Sequence, residues 1–182
     1  SLPSPLLLGY MNINMIYYET GSTDTDFSES DLRDGMSTAL TKLGEKNRVL
    51  VIPPDYTRLP SRSGELTEHC WEYLGDKLTD ILPALGTHTP MTAEQISHMF
   101  GQTPSELFRI HDWRKDVVTL GTVPAKFVKE VTEGACDFTW PAQVNKLLVE
   151  GDYDLILSIG QVVPHEVVGM ANYNKNIFVG TG

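Results

Sequence analysis

Three short apolar runs constrain the fold of this 182-residue chain more than any other feature, because each ends in a loop that carries an ionisable side chain. The runs cover residues 48–53, 79–85 and 154–160. Continuous apolar runs of this length are typical of strands buried on both faces of a parallel sheet. Residues 65–78 repeat apolar side chains at helical spacing, which completes a strand–helix–strand unit. The sequence therefore predicts an α/β, Rossmann-like fold with a mainly parallel sheet flanked by helices.

The residues before the first run predict a helix and a small β extension. Ser30 or Asp31 is suited to cap a helix whose apolar side chains recur at helical spacing, and Gly44 is suited to end it. Residues 12–18 alternate polar and apolar side chains, which is typical of a strand. We therefore expect a β extension or accessory hairpin in residues 1–28 and an α/β catalytic domain in residues 29–182.

The segment between the second and third runs mixes helical and strand signals. Thr92 with Gln95, and Thr103 with Glu106, match capping boxes and predict two short helices around Gly101. Strand signals follow in three places, with a third strand expected at residues 117–120, an exposed strand at 127–131, and either a strand or a helix at 143–150.

Composition excludes several classes of partner. A formal net charge of −10 with only 14 Lys and Arg residues argues against nucleic acid, because binding to a phosphate backbone needs clustered cations. The apolar runs are far shorter than the roughly 20 residues of a membrane span. Cys70 and Cys136 lack metal-type spacing, and no secretory leader pattern opens the sequence. We therefore expect a cytoplasmic protein with no nucleic-acid or membrane partner and no nucleophilic thiol.

The loops that follow the three runs carry the candidate site residues. In open parallel sheets the carboxyl ends of the strands form the ligand crevice, so we expect these loops to converge there. Histidines at positions 88 and 165 are suited to act as acid and base near neutral pH. Arg58 offers a planar fork for a carboxylate, and Asp55 is suited to fix a histidine tautomer or to receive a substrate hydroxyl. His88, His165, Asp55 and Arg58 therefore predict a site for an anionic hydroxy acid.

Each of these residues also has an ordinary structural interpretation. A histidine after a strand is often a loop or capping residue, and Asp55 with Arg58 is equally suited to a turn-stabilising ion pair. His111 beside Asp112 fits a further site element or a helix-end cation. The sequence has no dinucleotide-binding, phosphate-loop, zinc-protease or serine-hydrolase motif, so those enzyme classes are not indicated.

Taken together, the loops resemble the nickel-dependent lactate racemase family, which includes malate racemases and sugar-acid epimerases. Residues 54–60 read Pro-Asp-Tyr-Thr-Arg-Leu-Pro, similar to that family's Asp-His-Thr-Arg-Pro signature, and residues 84–91 contain its Gly-Thr-His segment. Residues 164–169 followed by Lys175 resemble its Pro-His…Gly…Lys run. The order of the segments, and the ten-residue step from His165 to Lys175, make the resemblance specific.

The resemblance implies a reaction and a role for each site residue. In the family a nickel-pincer nucleotide, derived from a pyridinium, is tethered by the lysine corresponding to Lys175 and accepts hydride from C2 of a 2-hydroxy acid. The residues at His88 and His165 serve as alternating acid and base for the hydroxyl proton, while Asp55 and Arg58 contact the substrate. The resemblance therefore implies an isomerase, a racemase or epimerase of hydroxy acids.

The chain also departs from the family. Ala171, Asn172 and Tyr173 stand where Ser-Gly-Gly is usual, and their side chains are expected to obstruct the close backbone approach that glycines permit. Family members are longer, and their nickel-binding histidine lies beyond the position of Gly182. We therefore expect an incomplete fragment that is inactive alone, contributes no metal ligand and works with a missing C-terminal part and with cofactor-assembly proteins.

Two other functions remain open. A non-catalytic carboxylate-binding module would keep Asp55, Arg58 and the histidines but carry no cofactor on Lys175. A purely structural α/β lobe would let the three loops diverge, which would place His88 far from His165.

Overall fold

A computed structural model describes residues 15–182, which fall into two compact units, a first that ends at Glu45 and a second, Lys46–Gly182. The helices are α1 (Glu29–Leu43), α2 (Ser63–Leu74), α3 (Ala93–Phe100), α4 (Ala125–Val131), α5 (Leu147–Glu150) and α6 (Asn174–Phe178). The strands are β1 (Val49–Ile52), β2 (Leu78–Ile81), β3 (Val117–Val123), β4 (Trp140–Asn145), β5 (Leu155–Ser158), β6 (Pro164–His165) and β7 (Gly169–Met170). Among these helices none has the length and apolar character that crossing a membrane requires.

The second unit is built on a parallel sheet, as predicted. Strand β1 lies in the centre and pairs in parallel with β2 on one side and β5 on the other. All four residues of β1 are completely buried, because both faces of this strand are covered. Helix α2 connects β1 to β2, so the predicted strand–helix–strand unit and the α/β fold are confirmed.

One face of the sheet carries the hydrophobic core. Leu50, Ile52 and Leu82 are fully buried, and Leu147 and Leu148 of α5 pack against them. Strand β5 differs from the fully buried strand that its apolar sequence predicts, since Ile156 and Ser158 are exposed. The strand pairs only with β1 in this sheet, and its exposed side chains identify it as an edge strand.

Helices α2 and α3 contact each other, and the cap of α3 matches the prediction. The Thr92 side chain accepts a hydrogen bond from the Gln95 N–H, and the Thr92 N–H donates one to Gln95 Oε1. The predicted capping box at Thr103 is wrong. Residues 105–107 form a single 3-10 turn after Pro104, and the buried Thr103 hydroxyl has no hydrogen-bond partner in the described part of the chain.

Strands β3 and β4 form a separate antiparallel pair with α4 between them in the chain, so the third predicted strand does not extend the parallel sheet. The exposed strand predicted at residues 127–131 is wrong, because this segment is the C-terminal part of α4. Pro124 precedes α4 and its carbonyl accepts from the N–H of Val128, and Phe127, Val128 and Val131 also fit helical spacing. Residues 143–150 contain both alternatives, since β4 ends at Asn145 and α5 begins at Leu147.

The first unit contains α1. Its cap is Ser28, two residues before the earlier of the two predicted positions, and Ser28 forms a capping box with Asp31. Gly44 ends the helix as predicted, with a positive φ of 84°, but its ψ of 177° lies outside the αL conformation that was expected for this stop. Of the strand predicted at residues 12–18, residues 12–14 lie outside the described part, and residues 15–18 form no strand. That correction follows from pairing, because an alternating pattern becomes a strand only beside a partner strand.

Candidate functional site

One polar cavity lies where the loops after β1, β2 and β5 meet. Its volume is about 270 Å³, and all the site residues expected from the sequence line it, namely Asp55, Arg58, His88, His165 and Lys175. The parallel register explains this convergence, because the carboxyl ends of β1, β2 and β5 reach the same edge of the sheet. The three loops converge on one cavity. The purely structural α/β lobe, for which diverging loops were expected, is therefore not supported.

Asp55 begins the first loop and organises it. Its Oδ1 accepts hydrogen bonds from the N–H of Thr57 at 3.2 Å and from the Thr57 hydroxyl at 2.5 Å, which caps the 3-10 turn Tyr56–Ser61. Arg58 lies in this turn, and its N–H donates to the Asp55 carbonyl. No described residue forms an ion pair with the Arg58 guanidinium, so the expected Asp55–Arg58 pair does not form.

His88 is held against Asp55 by a tight turn. Its N–H donates to the Leu85 carbonyl across Gly86, whose φ of 54° is strained for any side chain. The Gly86 N–H donates to the Gly180 carbonyl, which ties this turn to the segment after α6. His88 Nδ1 lies 2.6 Å from Asp55 Oδ2, so the second carboxylate oxygen of the buried Asp55 is engaged by the histidine.

His165 is positioned by the small hairpin of β6 and β7. Strand β6 pairs with β7, and the loop between them folds back over the imidazole. His165 Nδ1 lies 3.1 Å from the backbone nitrogen of Val167 and 3.3 Å from that of Val168. The His165 side chain is only 14% exposed, whereas that of His88 is 59% exposed.

Lys175 lies on α6, directly after a strained turn. Asn172 and Tyr173 have positive φ values of 56° and 53°, in the region that favours glycine. Asn172 Oδ1 accepts a hydrogen bond from the side chain of the buried Asn176, and the Asn172 backbone carbonyl accepts one from the Lys175 N–H. The turn therefore keeps a glycine-like backbone although its residues carry side chains, and hydrogen bonds hold it in place.

Tyr173 does not enter the site cavity. Its side chain is 66% exposed and lines a second, neighbouring cavity of about 410 Å³ together with Met170 and Phe178. Asn172 does line the site cavity and fills the space beside Gly160, where an added Cβ would lie 2.6 Å from its Cγ. Within the site cavity the obstruction expected from this departure is therefore limited to Asn172, whereas Tyr173 lines the neighbouring cavity that Lys175 also lines.

The cavity brings together two cations and two carboxylates. Arg58 and Lys175 both line it without an ion-pair partner in residues 15–182, and Glu166 is the acidic residue that lines the same cavity beside Asp55. The pKa of Glu166 is held below its ordinary value by a hydrogen bond from its own backbone N–H and then by the surrounding side chains of His165, Arg58 and Lys175. Two unpaired cations favour an anionic ligand in this cavity.

Three polar residues that shape the site were not predicted as site residues from the sequence. Thr57 fixes the Asp55 carboxylate, and Asn172 and Asn176 hold the turn before Lys175. Thr57 had a recognisable signal, since a hydroxyl two residues after an aspartate is typical of a short capped turn. Asn172 and Asn176 have i, i+4 spacing, but their contact depends on a positive φ that their sequence does not predict.

Other ionisable residues lie outside the cavity. His111 is 4% exposed and does not line the cavity, so it is not a further site element. His69 is buried in α2 near Glu65 and Glu72 and does not line the cavity. Burial raises the pKa of the Cys70 thiol to about 12, which leaves little thiolate at neutral pH.

We expect His111 to make the stability of the fold depend on pH. Burial lowers its pKa from the ordinary 6.5, and the backbone of Gly182 and the carboxylates of Asp116 and Asp112 oppose this only in part. The unfolded chain therefore binds the proton more readily, and stability is lost as pH falls below about 6.5. His111→Asn keeps an acceptor for the Asn145 side chain, which lies 3.0 Å from His111 Nδ1.

Thermal unfolding at pH 7.5 and pH 5.5 measures this effect. The melting temperature of the wild-type chain is expected to fall between these pH values, and that of His111→Asn is expected to fall less. Equal decreases in the two proteins would show that His111 does not carry the pH dependence.

Comparison with known families gives a direct match. The model of the lactate racemase N-terminal domain family matches residues 32–182. The chain belongs to this family. A comparison with curated proteins finds no match. Within the described residues, no group of three or more His, Cys, Asp or Glu side chains is arranged to hold a metal ion.

Two solved structures are similar to this lactate racemase N-terminal domain. A protein from Thermotoga maritima is 30% identical, with a TM-score of 0.73 over 85% of this chain and 38% of that one. The lactate racemase apoprotein from Thermoanaerobacterium thermosaccharolyticum is 25% identical, with a TM-score of 0.55 over 82% of this chain and 32% of that one. The chain thus spans less than two-fifths of the length of either protein.

Proposed function

We propose that this protein inverts C2 of a 2-hydroxy acid, as a racemase or epimerase. The observation that carries the proposal is that His88, His165, Arg58 and Lys175 line one cavity in a domain of the lactate racemase family. Two imidazoles, an unpaired guanidinium and an unpaired lysine are the groups that binding and proton transfer at a hydroxy acid require.

The substrate carboxylate binds the guanidinium of Arg58, because its planar fork matches the two carboxylate oxygens. This contact orients C2 and its hydroxyl between the imidazoles of His88 and His165, which handle the hydroxyl proton. Asp55 holds His88 in one orientation and stabilises the positive charge that a proton brings. Because these groups are fixed, they hold C2 in the reactive geometry and lower the entropic part of the reaction barrier.

The cofactor implied by the family is a nickel-pincer nucleotide, and one residue of the chain, Lys175, is suited to attach it. Lys175 lines both the polar cavity and the neighbouring cavity of about 410 Å³, and Tyr173 points away from the polar one. Lys175 is therefore the residue that would tether the group. When bound, the cofactor supplies a hydride acceptor for C2, because the C–H bond of an alcohol is too weakly acidic for imidazole alone.

The complete gene product, made together with the cofactor-assembly enzymes, is expected to convert one C2 stereoisomer of a hydroxy acid into a mixture. Chiral chromatography measures the conversion of lactate, malate and a sugar acid. His88→Ala and His165→Ala are expected to lower the rate by roughly 10²–10⁴-fold, the usual contribution of a general acid or base. Full activity in both variants, or no inversion by protein that carries the Lys175 adduct, contradicts the proposal.

A non-catalytic carboxylate-binding module is the second candidate. It is favoured by Asn172 and Tyr173 in place of the usual glycines, because Asn172 narrows the cavity beside Lys175. Intact-mass analysis of the co-expressed protein distinguishes the two functions. An adduct on Lys175 supports the isomerase, whereas a bare lysine beside an active assembly pathway supports the binding module.

A further inference from the structure

The buried side chain of Asn176 joins α6 to the parallel sheet. It lines the polar cavity, and its NH₂ group donates to Asn172 Oδ1 and, at 3.4 Å, to the hydroxyl of Ser158 at the end of β5. The Ser158 hydroxyl donates to the same Asn172 oxygen at 3.5 Å. The three side chains therefore form one polar contact between the sheet and the turn at residues 172–173.

Gly160 gives the Asn172 side chain the space that this contact needs. A Cβ added to Gly160 would lie 2.6 Å from both Cγ and Oδ1 of Asn172, closer than real Cβ atoms approach other heavy atoms. The polar contact therefore depends on a glycine in the loop after β5.

The turn at residues 172–173 is strained. Asn172 has a φ of 56°, which asparagine adopts more readily than most residues with a side chain. Tyr173 combines a φ of 53° with a ψ of −133°, near the first central position of a type II′ turn, where glycine is favoured. A tyrosine keeps such a conformation only where the surrounding contacts enforce it.

Lys175 depends on this turn because α6 is short. The helix has five residues, well below the length at which a helix is stable by itself. The Lys175 N–H donates to the Asn172 carbonyl at 3.0 Å, and the Asn176 N–H donates to the Tyr173 carbonyl at 3.2 Å. The backbone of residues 172–173 thus sets the position of Lys175.

The position of Lys175 matters because this residue lines both the polar cavity and the neighbouring one. Asn172 lines the polar cavity and Tyr173 lines the neighbouring one, so the turn lies between the two. The pKa of Glu166, in the polar cavity, is lowered first by its own backbone N–H and also by nearby side chains that include Lys175. The lysine amine therefore lies on the side of the polar cavity, and relaxation of the turn would let it leave.

We infer that Asn176 is a positioning residue for Lys175, which acts through the side chain of Asn172 and holds the lysine amine at the polar cavity. Its buried amide keeps the strained turn in place, and the turn in turn fixes the backbone of Lys175. The inference rests on the proposed function only in taking Lys175 as the attachment point of the cofactor.

Amide hydrogen exchange of the complete gene product, measured without cofactor, tests the contact directly. Asn176→Ala is expected to raise the exchange rate of the Lys175 N–H by roughly three- to tenfold, because the turn loses the hydrogen bond that holds it. Adding Tyr173→Gly to Asn176→Ala is expected to return the rate to within about twofold of the wild-type value, since glycine adopts this φ without strain. A purely structural role of Asn176 would not be rescued at position 173.

Asn172→Ala removes the other half of the contact without opening a buried position, so it tests the same inference if Asn176→Ala does not fold. The same rise at Lys175 is expected. Asn47→Ala is the matched control, because Asn47 is exposed and precedes β1, and it is expected to leave the rate unchanged. An unchanged Lys175 rate in the alanine variants at 172 and 176, a rise that is equally large in β1, or a rise that Tyr173→Gly does not reduce overturns the inference.

Intact-mass and peptide analysis after co-expression with the cofactor-assembly enzymes extends the test to cofactor attachment. The fraction of protein with an adduct on Lys175 is expected to fall by roughly three- to tenfold in Asn176→Ala and to recover when Tyr173→Gly is added. An undiminished adduct in Asn176→Ala overturns the positioning role. A wild-type protein without an adduct contradicts the proposed function instead, and the exchange rates then still decide whether Asn176 holds Lys175.

Discussion

Asp55→Asn is expected to lower the rate of C2 inversion by roughly 10³–10⁴-fold while leaving the fold intact. The backbone and hydroxyl of Thr57 both donate to Asp55 Oδ1, so the amide oxygen of an asparagine must take that position. Its NH₂ group is then turned towards His88 Nδ1. A donor at this place forces hydrogen from Nδ1 to Nε2 of His88, which removes the lone pair that accepts the substrate proton.

The measurement compares inversion rates of loaded wild-type and variant proteins, with correlation spectra to follow the His88 tautomer. Asp137→Asn is the matched control, because Asp137 is exposed and pairs with Lys129 away from the cavity. The control is expected to change neither the rate nor the spectrum. An Asp55→Asn protein with the wild-type rate, or with hydrogen still on Nδ1 of His88, contradicts the proposed role of Asp55.

The parallel sheet was predictable because buried parallel strands are apolar and are joined by helices, and both features are visible in the sequence. Strand β1 is apolar along its length, β2 begins and ends with the buried Leu78 and Ile81, and a helix between two strands is typical of a parallel pair. Strand β5 shows the limit of that reasoning. Its apolar sequence resembles that of β1, and only the strand order reveals that β5 lies at an edge.

The antiparallel pair of β3 and β4 and the helix α4 between them were not predictable from the same signals. Residues 127–131 are predicted as an exposed strand, but the apolar side chains Phe127, Val128 and Val131 have helical spacing and do not alternate. Pro124 precedes the helix, and its carbonyl accepts the first hydrogen bonds of the turn. Local pattern alone decides between a strand and a helix only in longer segments.

The candidate site was predictable in its members but not in its contacts. Asp55, His88 and His165 follow strand ends, and the shared edge of a parallel sheet brings such residues together. Which nitrogen of each histidine is engaged depends on a turn at Gly86 and on the β6–β7 loop. Those contacts are set by backbone geometry over a few residues. They give His88 a carboxylate partner and His165 backbone N–H partners.

Gly64→Ala is expected to destabilise the fold by about 3 kcal/mol, which lowers the melting temperature by roughly 6–12 °C for a chain of this size. An added Cβ on Gly64 would lie 1.9 Å from the carbonyl oxygen of Met99 and 2.7 Å from its Cγ, so α2 and α3 must separate. Alanine otherwise favours a helix over glycine by about 1 kcal/mol, and the steric cost exceeds this gain. Gly121→Ala is the control, because Gly121 has open space around it and an ordinary φ. Thermal unfolding of both variants measures the effect, and a Gly64→Ala protein as stable as the control contradicts the close contact of α2 with α3.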